Sequence, residues 1–206
     1  MSFLNSLKKK VENEMKNDVT HDFEHILRVY KNAQKICKKE KANEKLVLSA
    51  VLLHDLVLYS KSDKRSKLSS IQSAKKSKQI LKKYGFLKEE IIVISDAIRD
   101  HSFSQHKIPN SLEGKILQDA DRLDALGAIG IARVFAMGGF LGRPFYNPTD
   151  PFCIQRNPDD SIWTVDHFFE KLLKLESLMN TKSAKVEAKK RTKILKEFLA
   201  QLKGEI

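Results

Sequence analysis

Apolar positions recur along most of this chain at spacings of three and four, the period of one helix face. Phe3, Leu4, Leu7 and Val11 predict a short amphipathic helix over 2–16. Phe23, Ile26, Leu27, Tyr30 and Ala33 predict a second over 22–39, with Thr20 or Asp22 as its N-terminal cap. Residues 44–57, EKLVLSAVLLHDLV, are apolar on nearly every side, as befits a helix at the centre of a domain. Ser69 with Gln72 fits a capping box, opening a helix that Gly85 is placed to stop. Further helices are expected over 88–101, 112–137, 162–179 and 183–202. No segment alternates with the period of a strand. The expected fold class is all-α: a single domain, 1–206, built as a bundle of about seven or eight helices.

One segment breaks the helical rhythm. Four of the five prolines, Pro144, Pro148, Pro151 and Pro158, fall in GGFLGRPFYNPTDPFCIQRNPDDS. A structureless stretch of about twenty residues inside a compact domain is either a functional lid or an ordered surface excursion. A lid-like loop over 138–160 is the expectation carried forward.

Composition narrows the function classes. Lys and Arg total 38 against 26 Asp and Glu, a net charge of +12, which allows an anionic partner without naming one. Lys182, Lys185, Lys189, Lys190, Arg191, Lys193 and Lys196 crowd the last helix, but they spread around it and Glu187 and Glu197 interleave. A solvated face is favoured there, and nucleic acid is a secondary possibility. No run of about 18 apolar residues is present, so no transmembrane helix and no membrane partner are expected. The N-terminus, MSFLNSLKKKVENEM, lacks an apolar signal core. Cys37 and Cys153 are isolated and form neither a disulfide framework nor a CxxC pair. A reducing, cytoplasmic setting is expected. Nothing in the sequence sets the oligomeric state.

The candidate chemistry lies on the predicted helices. His54 and Asp55 end the most apolar one, and a buried imidazole and carboxylate must find partners. A His–Asp dipeptide alone is more often a pair that satisfies nearby backbone. Other residues shift that balance. His25 sits in DFEHILRVY, and Asp119, Asp121 and Asp124 sit in ILQDADRLDALGAIGIARVF. Asp121 and Asp124 share a helix face at i, i+3. Carboxylates crowded into an apolar helix repel one another, and a divalent cation relieves that repulsion. Two imidazoles and two carboxylates from three helices make a mixed nitrogen and oxygen set. Such a set suits Mn²⁺, Fe²⁺, Co²⁺ or Mg²⁺ with open positions better than a closed structural zinc site. His21 precedes His25 by four residues, but HDFEH is not HExxH, so a zinc-protease reading is set aside.

The order His25, His54-Asp55, Asp121 resembles the H…HD…D signature of the HD superfamily of metal-dependent phosphohydrolases. The flanking segments THDFEHILRVYKNA, LSAVLLHDL, AIRDHSFS, LQDADRLDALGAIGIAR and DHFFEKLLKLESLMNT extend the resemblance to small bacterial HD hydrolases over nearly the whole chain. It implies an all-helical fold and one divalent metal at His25, His54, Asp55 and Asp121, with Mn favoured over Mg, Fe, Co or Ni. It also implies hydrolysis of a phosphate ester or anhydride in a small substrate, a nucleotide above all. Nucleoside triphosphate pyrophosphohydrolysis is the leading specific activity, followed by nucleotide monophosphatase action. Two rivals remain: a nucleic-acid-binding or regulatory protein with a vestigial site, and a metal-dependent phosphodiesterase. The sequence departs from relatives that carry acidic residues soon after the dyad, since LVLYSKSDKRSK offers none before Asp63. A second metal is therefore unsupported, although Glu24 and His101 offer extra donors.

Further roles are expectations of two kinds. His101 is the first candidate for proton transfer, with a satisfied core histidine as its alternative. Asp124 would orient an imidazole or the attacking water. Arg28, one turn after His25, is a candidate phosphate contact or a surface ion pair. Lys61, Lys64, Arg65 and Lys67 are candidates for distal phosphates, Lys64 foremost. Arg122 is expected in a structural ion pair. His106 and His167 receive no task.

Overall fold

Periodic apolar faces become helices wherever a cap or a glycine defines an end. In the computed structural model, residues 3–14, 23–59 and 63–206 are described. Thr20, His21, Asp22 and Lys61 lie outside them. The helices are α1 (Phe3–Glu14), α2 (Phe23–Glu40), α3 (Glu44–Leu53), α4 (Ser69–Lys83), α5 (Lys88–Asp100), α6 (Leu112–Asp124), α7 (Gly127–Phe140), α8 (Asp166–Glu170) and α9 (Lys182–Glu205). Three short 3-10 turns cover Lys64–Leu68, Phe103–Gln105 and Leu172–Lys174. The described residues contain no strand, and the all-α expectation holds. No single described helix is long and apolar enough to cross a membrane.

The chain divides into two compact units, Met1–Asp121 and Arg122–Ile206. In the first, α3 is central and packs against α1, α2, α4 and α5. Asn43 caps its start by accepting from the Leu46 amide. Val47, Leu48, Val51, Leu52 and Leu53 are almost wholly buried. Each contributes about 1.5–3 kcal/mol, so the helix that delivers His54 is held firmly. Gly85, at φ 73°, ends α4 in the left-handed conformation that glycine adopts freely. There the Phe86 amide returns to the Leu81 carbonyl at 3.2 Å.

Four expectations are corrected. Helix α3 stops at Leu53 rather than 57, because the next backbone groups find side chains elsewhere. The Val57 amide donates to Ser73 Oγ at 3.0 Å, and the Tyr59 amide to Ser69 Oγ at 3.3 Å. For the same reason Ser69 does not build a capping box. Its hydroxyl serves Tyr59, and α4 starts from Leu68 with no side-chain cap. The expected helix 112–137 breaks at Ala125–Leu126, and Gly127, at φ 73°, begins a new one. The expected helix 162–179 shrinks to α8 and one 3-10 turn. Thr164 and Val165 donate their amides to Pro144 and Phe145 carbonyls (3.0 and 2.8 Å), and the backbone breaks again at Lys171.

In the second unit α7 packs on α9. Phe135 lies edge-on to Phe145 and Phe198, and Phe198 stacks on a fully buried Phe168. Residues 141–165 form successive closed turns. Asn147 Oδ1 accepts from the Thr149 and Asp150 amides, and the Asp150 carboxylate from the amides of Ile154, Gln155 and Arg156. Arg156 then clamps the fully buried Asp166 carboxylate at 2.5 and 2.7 Å. Gly138 is required by close approach, since a Cβ there would lie 2.3 Å from Thr164 Oγ1. Gly139 has open space. Alanine in a helix ordinarily gains about 1 kcal/mol over glycine. Gly139→Ala should therefore raise the urea midpoint, and Gly138→Ala should lower it by about 1–2 kcal/mol of stability. Equal effects from the two substitutions would contradict the contact.

Candidate metal centre

Three helices and the turn after α3 bring the predicted donors into the first unit. His25 lies in the first turn of α2, on the face that buries Ile26, Val29 and Ala33. Asn32, two turns further on, donates from Nδ2 to the Ala120 carbonyl at 3.2 Å. This bond docks α2 on α6 one residue before Asp121. It sets His25 Nε2 3.4 Å from Asp121 Oδ1. His25 Nε2 is also 3.9 Å from Asp55 Oδ2.

His54 is the C-terminal cap of α3 and is fully buried. Its Nδ1 lies 2.7 Å from the Val51 carbonyl oxygen, three residues back in the same helix. A carbonyl can only accept, so the assigned proton is on Nδ1 and the Nε2 lone pair is left exposed to the cluster. Nε2 is 3.5 Å from Asp55 Oδ2, and it is buried without a hydrogen-bond partner among the described residues. A buried polar atom in that state costs about 1–3 kcal/mol. A cation at this point would use the lone pair.

His101 repeats the device. It caps the C-terminus of α5, and its Nδ1 is 2.6 Å from the Ile98 carbonyl. Its ring centroid is 4.9 Å from that of His54, which is itself 5.6 Å from that of His25. Two overlapping sets result: His25, His54 and Asp121, and His54, Asp55 and His101. Within each, the donor atoms lie within 4.8 Å of one another. Burial, followed by the neighbouring His54, pushes the His101 imidazole below its usual value. Burial raises the Asp121 carboxyl, but hydrogen bonding and positive charge from His25, then from His54 and His101, outweigh it. The group ends well below the usual carboxylate range. An ionised carboxylate is the state in which Asp121 can ligate a metal ion.

The other sequence candidates divide. Arg28 is half-buried one turn after His25, and Lys64 is exposed at the start of its 3-10 turn. Arg65 is exposed, pairs with Asp63 at 2.8 Å and lies over the Tyr59 ring. Asp124 belongs to the second unit, where it is buried and 2.9 Å from Arg133 Nη1. Arg122 is also in that unit and donates from Nη1 to the Leu178 carbonyl. Glu24 and His106 are exposed, and His167 pairs with Asp160 at 2.6 Å. Asn32 is not among the residues the sequence singles out: one amide on an apolar helix face carries no spacing signal, and its role shows only in the contact with the Ala120 carbonyl.

A model of the HD domain matches residues 22–126. The YpgQ protein of Bacillus subtilis strain 168 is 36% identical over 191 residues, covering 90% of this chain and 84% of its own. A crystal structure of Bacillus subtilis YpgQ in complex with ADP aligns with a TM-score of 0.75 and 32% identity, over 98% of this chain and 94% of that one. The crystal structure of an HD-superfamily hydrolase from Bacillus thuringiensis aligns with a TM-score of 0.77 and 37% identity, over 98% and 95%.

Proposed function

This chain belongs to the HD superfamily of hydrolases, and from that premise we propose that it hydrolyses a phosphate ester or anhydride of a nucleotide at one divalent metal ion held by His25, His54, Asp55 and Asp121. The observation that carries the proposal is the buried Nε2 of His54, which has no hydrogen-bond partner among the described residues and shares its donor sets with His25, Asp121, Asp55 and His101. The mixed donor set favours Mn²⁺ as the first ion to offer. The nucleotide class is supported by the ADP in the Bacillus subtilis relative.

A bound divalent ion would acidify water and neutralise charge on a phosphoryl oxygen. The chain's own groups would do the rest. The bond from His54 Nδ1–H to the Val51 carbonyl fixes the tautomer that offers Nε2. His101, with Nδ1–H given to the Ile98 carbonyl, presents an unprotonated Nε2 that takes a proton from the attacking water. Arg28 contacts a phosphoryl oxygen, and Lys64 takes a distal phosphate. Phosphoryl transfer depends mainly on such positioning and charge neutralisation.

The test is turnover by purified, Mn²⁺-loaded protein on a panel of nucleoside mono-, di- and triphosphates, with phosphate and pyrophosphate resolved. Pyrophosphate release from a triphosphate is the expected outcome. Phosphate alone would move the activity to a phosphatase, and no turnover of any phosphorylated substrate would overturn the proposal. His101→Ala should lower kcat by about 10²–10⁴-fold while leaving one bound ion per chain.

A further inference from the structure

Gln118 lies on α6 one turn before Asp121 and is fully buried. Its Nε2 faces three carbonyl oxygens: Asp100 at 3.2 Å, His101 at 3.2 Å and Lys107 at 2.9 Å. Asp100 and His101 form the end of α5, where helix carbonyls lack intrahelical donors. Lys107 lies beyond the 3-10 turn Phe103–Gln105. A single side-chain amide therefore closes both ends of the excursion that follows α5, and ties it to the helix bearing Asp121. The imidazole is fixed on its other side by the Nδ1 bond to Ile98 within α5.

We infer that Gln118 is a positioning residue that holds His101 in register with the metal-ligating carboxylate of Asp121. It touches neither substrate nor ion and acts through the His101 backbone. The amide is suited to this because it brings two N–H donors to a point where three carbonyl acceptors converge. Methionine has nearly the same shape and no donor. The claim that His101 moves a proton rests on the proposed function, whereas the claim that Gln118 places His101 does not.

The test compares wild type with Gln118→Met, and with Gln118→Asn, which keeps an amide but withdraws it by one methylene. In both variants kcat should fall about 10- to 100-fold, as a small misplacement of a catalytic group costs. KM and the affinity for Mn²⁺ should stay within about threefold, since the four ligands are untouched. In the metal-free protein the imidazole NMR signals of His101 should shift, while those of His25 and His54 hold. Leu195→Ala, a fully buried position on α9, controls for lost stability: a comparable drop in melting temperature there should leave kcat intact. Unchanged His101 signals in folded Gln118→Met would overturn the inference. Shifted His101 signals with unchanged kcat, or with a loss only in KM or metal affinity, would leave the positioning in place and overturn the proton-transfer role of His101 in the proposed function. Should wild type turn over no phosphorylated substrate, the proposed function fails, and the His101 signals alone still decide whether Gln118 places that ring.

Discussion

Asp55→Ala should abolish both divalent-metal binding and turnover while leaving the helical content intact. The carboxylate lies after the end of α3 and is 13% exposed, so its removal takes little from the core. Its oxygen lies 3.5 Å from His54 Nε2 and 3.9 Å from His25 Nε2, and it belongs to one of the two donor sets. Removing groups that merely orient a ligand weakens metal sites by about 10- to 100-fold, and losing a ligand should exceed that. Thermal melts give a second readout. At a hundredfold excess over Kd, Mn²⁺ should stabilise wild type by about 2.7 kcal/mol, and Asp55→Ala by close to nothing. A variant that keeps its metal would show that the ligand set is wrong.

The second large effect concerns stability in the other unit. Asp166 is fully buried, and its charge is met by two guanidinium contacts from Arg156 and by the Asp159 amide at 2.7 Å. Arg156→Ala removes the cation and strands a carboxylate in the interior. Breaking a buried pair from one side costs about 3–5 kcal/mol, enough to lower the melting temperature by roughly 10 °C. Replacing both partners with apolar residues, Arg156→Met with Asp166→Leu, should recover most of that loss, because no charge is left to desolvate. A single substitution as mild as the double one would show that the pair is not the clamp of this loop.

Much of this was legible in the sequence wherever a side-chain pattern carries local physics. The stripes on α1, α2, α5 and α9 have the helical period, and their boundaries fall within a few residues of the expected ones. Gly85 announced its turn. The errors fall where distant contacts override local pattern. Leu56, Val57 and Leu58 continue the apolar run of α3, but Ser73 and Ser69 take the amides of Val57 and Tyr59. Nothing local in 112–137 shows that Gly127 will adopt a positive φ, since an apolar helix reads equally well through it. The helix expected from 162 is displaced by the Pro144 and Phe145 carbonyls, which take the amides of Thr164 and Val165 from about twenty residues upstream.

The donor cluster was legible because imidazoles and carboxylates inside apolar helices are costly without a shared purpose. Its supporting amides were not. Asn32 and Gln118 are single polar residues with no spacing of their own, and only the packing of α2 and α5 on α6 reveals what they hold. Asp124 follows Asp121 by one turn on the same helix and pairs with Arg133, a partner that sequence spacing alone does not show.

Diffraction from crystals equilibrated with Mn²⁺, recorded at the manganese absorption edge, addresses the site without any assumption about substrate. One anomalous peak per chain is expected, bonded to His25, His54, Asp55 and Asp121, with the Nε2 of His54 among its ligands. A peak on other residues, or none at a Mn²⁺ excess that saturates binding in solution, would contradict it.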